Sequence, residues 1–196
     1  MVDVAKNLLA IKAQLPEGVE LTAVSKFHPD EYITAAYNVG QRIFGESHEQ
    51  ELARKAASLP KDIHWHFIGH LQTNKVKYIV PYISMIESVD SIRLLREIEK
   101  QGARCGRRIR VLLELHIAEE ATKYGLTPDD CRSLLADGEW QQMEHVEICG
   151  LMMMASHTDD HDQIAREMDT AHSFFDEVRG KYFADQPSFR YRSWGM

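Results

Sequence analysis

A short apolar, β-branched run, then a turn, then a helical stretch: this sequence of types recurs along the whole chain and limits the fold more than any other feature. LTAVSK (21–26) reads as a strand, and residues 28–40 follow as a helix. That helix has Pro29 near its first turn, Asp30 and Glu31 at its positive dipole end and Gly40 as its stop. RIFGE (42–46) is the next strand, after which Ser47 and Gln50 have the spacing of a capping box opening a helix. The alternation continues with strand 63–69, a short helix over 72–80 and strand 84–89. A helix capped by Asp90 or Ser91 then runs through Lys100. Strand 108–117 comes next, with a helix from Thr127 and Pro128 through Ala136, strand 145–154, a long helix over 159–180 and a last strand candidate in SFRYRSW (188–194). Sustained β-then-α order implies a parallel sheet covered by helices. Right-handed crossovers allow a doubly wound sheet or a closed barrel. No G-x-G-x-x-G follows the first strand, which weakens a dinucleotide-binding reading. A closed barrel has eight such units, and the pattern yields about seven.

Composition narrows the function classes. The 196 residues suit a single domain. A formal net charge of −7 argues against a nucleic-acid-binding face or an anionic membrane surface, both of which need clustered Lys and Arg. Three scattered cysteines, Cys105, Cys131 and Cys149, read as reduced thiols of a cytoplasmic protein. The first residues have the pattern of an amphipathic helix rather than of a signal peptide, and no run is long enough to span a membrane.

Four places could carry chemistry. Lys26 ends the first strand, and in a βα barrel the strand C-termini form the active face. Strand alternation puts Thr22, Val24 and Lys26 on one side and Leu21, Ala23 and Ser25 on the other. Facing inward, an amine there is desolvated, which favours the neutral form that attacks an aldehyde. The position equally suits a lysine that only snorkels to solvent. FGES (44–47) ends a strand at a helix start, which suits either an anion or an ordinary capped turn. His64, His66 and His70 suggest a metal, but the first two supply only two ligands on one strand face and no nearby acid or cysteine completes a tetrahedral set. His157 and His161 lie in a polar junction that reads as a solvated cap, so no metal site is expected. The methionines of GLMMMA (150–155) are core filler or the lining of a flat aromatic ligand.

Taken together, AVSKFHP around Lys26, FGES at 44–47, WHFIGHLQTNK at 65–75, Lys123-Tyr-Gly125, CGLMMMA at 149–155 and SWGM at 193–196 resemble, in this order and over nearly the whole chain, the YggS-like (PROSC-like) pyridoxal phosphate homeostasis family. This family is related to the N-terminal barrel of alanine racemase. The resemblance implies a (β/α)8 TIM-type barrel of pyridoxal phosphate fold type III, as a single domain over residues 1–196. It implies that Lys26 forms the internal aldimine, that Ser47 stands where many members carry an asparagine near the cofactor, and that Met152 lies beside the ring. Ser193, Gly195 and Met196 match the start of a phosphate-binding turn. The sequence stops within that turn. The next serine, a helix and a last strand with its phosphate donors and an arginine near the pyridine nitrogen are expected to be missing, because the sequence is truncated or the protein is shorter. That accounts for the absent βα unit.

The function so implied is to hold pyridoxal 5′-phosphate for intracellular homeostasis, without catalysis. Racemisation needs a proton-transfer group on each face of the substrate, and in the racemases the second comes from an added β-domain. A racemase-like enzyme is the alternative. Partners implied are the cofactor itself and pyridoxal phosphate-dependent apoenzymes as acceptors, with the protein a monomer.

Overall fold

A computed structural model describes residues 3–117 and 124–194. Its single sheet has seven strands: β1 (Ala23–Val24), β2 (Ile43–Glu46), β3 (His64–Phe67), β4 (Met85–Val89), β5 (Ile109–Leu115), β6 (Val146–Met153) and β7 (Tyr191–Ser193). Every neighbouring pair is parallel and the strands lie in sequence order. That order decides between the two architectures. A doubly wound sheet reverses at a switch point, whereas here each strand is laid beside the last, as the staves of a (β/α) barrel are. Among the described residues β1 and β7 do not pair, so these seven staves form an open barrel wall.

The helices are α1 (Val4–Lys12), α2 (Asp30–Asn38), α3 (Glu49–Ser58), α4 (Val76–Ile79), α5 (Ile92–Cys105), α6 (Pro128–Asp137) and α7 (His161–Tyr182). Their ends follow local chemistry. Thr127 caps α6 by accepting from the Asp130 N–H, with Pro128 in the first turn. Ser91 rather than Asp90 caps α5, which runs on past Lys100 to Cys105 before Gly106 closes it in a left-handed conformation. The proposed Ser47–Gln50 capping box is not formed. Helix α3 starts after His48, which makes no side-chain cap bond. The reason is packing: a Cβ on Gly69 would sit 2.7 Å from both Cβ and the carbonyl oxygen of Ser47, so the backbone of Ser47 is held against the end of β3. Helix α2 likewise starts later than the pattern suggests, with Pro29 as its N-cap. Among the described residues no helix is long and apolar enough to cross a membrane.

The register separates two faces. Ala23, Phe44 and Trp65 align across β1–β3, and Phe44 and Trp65 pack with Val111, Leu113 and Leu151 in the core beneath the helices. The alternate residues face inward, where Met85, Leu112, Cys149 and Met152 form a second, smaller cluster. A register shift after Val111 pairs Leu112 with Gly150, leaving Cys149 as the extra residue of a bulge in β6. Gly150 is obligatory there, because a Cβ would meet the Tyr191 carbonyl oxygen at 1.9 Å. Gly69 carries a similar constraint at the strand ends. Gly69→Ala is expected to destabilise the protein by about 1–3 kcal/mol through overpacking against Ser47, read as a lower denaturant midpoint with an unchanged slope.

Candidate functional site

Lys26 follows β1 at its C-terminal end and is half-buried. Its neighbour Ser25 is buried and points to the helix side, where its hydroxyl donates to Glu46 Oε1 at 2.6 Å. The other side of β1 faces the barrel interior. A Cβ on Gly45, paired with Val24, would sit 3.1 Å from the Thr22 methyl and 3.0 Å from Ile68 Cδ1. Alternation therefore assigns Lys26, with Thr22 and Val24, to the inner side. Among the described residues its amine has neither a hydrogen bond nor an ion pair. Lys55 is the opposite case: it is wholly buried and its Nζ donates to Ser25 O, Glu46 Oε1 and Glu51 Oε1 at 2.7, 2.7 and 2.6 Å.

The interior carries polar groups that the apolar strand pattern does not lead one to expect. His66 Nδ1 lies 2.5 Å from Glu87 Oε1, and the Ser193 hydroxyl donates to Glu87 Oε2 at 2.5 Å. This chain ties β3, β4 and β7 together across the inside of the wall. Glu114 of β5 pairs in register with the inward Met152 and is buried, and its Oε2 has no hydrogen-bond partner among the described residues. Burial pushes the Glu114 carboxyl up from about 4.5 to about 7, and the Asp90 carboxylate adds to the rise.

A pH dependence follows. The folded carboxyl holds its proton to higher pH than the unfolded one, so the folded state binds more protons between the two values. Its contribution to stability is complete below about pH 4.5 and lost as pH rises through about 7. Over that window the wild type is expected to lose about 2–3 kcal/mol relative to Glu114→Gln, which cannot ionise. Denaturation midpoints of the two proteins at pH 4.5 and pH 8 check this.

Of the residues singled out from sequence, several lie at or near the C-terminal ends of strands of the one sheet. Lys26 and Ser47 sit where β1 and β2 end, both half-buried, and Met152 lies wholly buried on the inner face of β6. Ser193 is on the same inner face, but its hydroxyl is engaged by a carboxylate. Gly195, Met196 and Lys123 lie outside the described residues. His64 and His66 share the inner face, and His66 is taken up by Glu87. His70 stacks on Tyr124 with ring centroids 3.9 Å apart and approaches Asp90 at 3.3 Å. No group of three or more metal-ligating side chains exists among the described residues. A cleft of about 620 Å³ opens at the rim between the loops after β3 and β4, lined by His70, Gln72, Asn74, Asp90, Ser91 and Arg93 among others. Lys26 is not part of its lining.

The Glu46–Lys55–Glu51 cluster and the buried acids Glu87 and Glu114 were missed in the sequence. The available signal was a charged residue inside an otherwise apolar strand, as in FGE, IES and LEL, since a buried charge requires a partner.

Comparison with known proteins bears on all of this. The family model for the alanine racemase N-terminal domain matches residues 2–194. The pyridoxal phosphate homeostasis protein of Helicobacter pylori is 33% identical over 163 residues, covering 82% of this chain and 73% of that protein. The solved structure of PipY from Synechococcus elongatus with pyridoxal phosphate bound is similar at a TM-score of 0.83 and 31% identity, over 97% of this chain and 95% of the other. The same protein without pyridoxal phosphate gives 0.88 and 33%, over 98% and 88%. An alanine racemase from Clostridium difficile gives a TM-score of 0.77 at 15% identity, over 98% of this chain and 53% of that one, a likeness of fold alone.

Proposed function

This chain belongs to the alanine racemase N-terminal domain family and, within it, to the pyridoxal phosphate homeostasis proteins, and from that premise we propose that it holds pyridoxal 5′-phosphate covalently through Lys26. The observation that carries the reading is the amine itself. It follows the C-terminal end of β1 with no partner among the described residues, and the alternation of β1 carried into the turn supports an inward direction, in a chain whose relative PipY carries pyridoxal phosphate in its structure. When bound, the cofactor supplies an aldehyde carbon with which a neutral amine condenses, releasing water, and a phosphate that anchors it.

The residues present fit such a group. An amine already in an ion pair would have to break it first, and Lys26 has none among the described residues. The orphaned Oε2 of Glu114 on the inner face is a polar atom that a bound polar group would satisfy. In this reading Lys26 binds, Ser47 offers a hydroxyl beside the mouth and Met152 presents an apolar wall. Ser193 would serve the phosphate only by releasing its hydroxyl from Glu87, since a carboxylate repels an anion. Gly195 and Met196 complete the phosphate turn that the resemblance proposes.

Holding the cofactor, rather than turning over amino acids, is the role that the relatives' names support. The reading has the protein act as a monomer in the cytoplasm, where Cys105, Cys131 and Cys149 stay as the free thiols they are here. It hands pyridoxal phosphate to dependent apoenzymes. The test is to add pyridoxal phosphate to the purified protein, desalt it and record the visible spectrum. A stoichiometric band that survives desalting, with no D-isomer formed from single L-amino acids, is expected. A colourless protein contradicts the binding. Sustained racemisation contradicts the carrier role.

A further inference from the structure

We propose that Glu51 and Lys55 of α3 are positioning residues that fix the direction in which the Lys26 side chain leaves the backbone; this rests on the reading of Lys26 as the site of pyridoxal phosphate attachment. The argument is one of backbone geometry. Two peptide groups flank the Cα of Lys26: one contains the Ser25 carbonyl, the other the Phe27 N–H. Each is held from α3. Lys55 Nζ donates to Ser25 O at 2.7 Å, and the Phe27 N–H donates to Glu51 Oε1 at 2.9 Å. With both peptide planes fixed, the two soft dihedrals of Lys26 are fixed, and so is its Cα–Cβ bond.

The clamp is itself braced. Glu51 and Lys55 are one helical turn apart and bonded to each other at 2.6 Å, and Lys55 is anchored behind the sheet by Glu46 at 2.7 Å. Burial does not hold this turn. Phe27 is 75% exposed and sits at φ 64°, in the left-handed region that a bulky side chain avoids. Such a conformation persists only where surrounding contacts over-determine it. Beside the clamp, Ser25 is tied to β2 through its N–H to Gly45 O at 3.0 Å and its hydroxyl to Glu46 Oε1 at 2.6 Å. The His28 N–H donates to Ser25 O at 3.1 Å, and the rings of Phe27 and His28 lie 5.2 and 5.7 Å from those of His48 and Tyr32. Of the two peptides that flank Lys26, the one carrying the Phe27 N–H is held by Glu51.

The test uses the full chain with pyridoxal 5′-phosphate as probe. The rate of attachment at Lys26 is trapped with borohydride and read by peptide mass. Glu51→Ala removes the acceptor for the Phe27 N–H, whereas Glu51→Gln keeps a carbonyl oxygen in its place. Glu51→Ala is expected to slow attachment about tenfold or more and to speed hydrogen exchange at the Phe27 amide. Glu51→Gln stays near the wild-type rate; Glu51→Ala melts lower, because the buried Lys55 loses one of its two carboxylates, and its slowed attachment is read at a temperature where it is fully folded. Glu51→Met, which keeps the stem and lacks the acceptor, is read in the same way should the alanine variant not fold. Wild-type rates in Glu51→Ala and Glu51→Met overturn the positioning role while leaving Lys26 as the attachment site. A wild-type protein that never becomes labelled at Lys26 overturns the reading of the site, and the inference with it.

Discussion

Lys26→Ala is expected to abolish covalent retention of pyridoxal phosphate altogether: no visible band after desalting and no mass increment after reduction. The loss is complete rather than graded because the other lysine that the described residues place at this turn cannot substitute. Lys55, the lysine tied to the same turn, is buried on the helix side and committed to three acceptors. The same substitution is expected to leave stability within about 0.5 kcal/mol of the wild type, since Lys26 has no partner to lose among the described residues. Loss of colour in a protein that melts like the wild type separates a chemical role from a structural one.

The second large effect is on stability. Lys55→Ala is expected to cost about 3–5 kcal/mol, because it leaves Glu46 wholly buried without its cation and opens a cavity behind β1. Breaking a buried pair is far more costly than replacing it whole. The double variant Lys55→Met/Glu46→Leu is therefore expected to recover most of the loss, leaving the hydrogen bonds of Ser25 and Glu51 as the residual cost. Urea denaturation of the two single variants and the double variant gives the coupling directly.

The order of strands and helices was legible because each element announces itself locally. Val111, Leu113 and Leu115 face one side of β5 and Leu112 and Glu114 the other, as a strand covered on both faces requires. The choice of a barrel over a doubly wound sheet was not legible from pattern. Strand neighbours are set by long-range pairing, and only the resemblance supplied them. Boundaries moved where packing outweighed local preference. Ser47 has the side chain of a cap but is held against Gly69, so α3 starts later. The strand read over 21–26 keeps only Ala23 and Val24 in the ladder, because the chain turns at Lys26 under the pull of α3.

The site divides in the same way. Lys26, the proposed attachment point, draws attention in the sequence by its place at a strand end. The partners of Glu87 could not, because His66 and Ser193 lie 21 and 106 residues away and meet it only once the wall has curled. Periodicity tells which residues share a face of one strand. It does not tell which inward residues of distant strands reach each other across an interior.

Mapping the borohydride-reduced adduct along the polypeptide is the most direct trial of the whole account. A single labelled peptide, modified at position 26 and formed before any other lysine reacts, is the outcome the geometry requires. Label distributed over solvent-facing amines such as Lys61, Lys77 and Lys100, with position 26 unmodified, would contradict it.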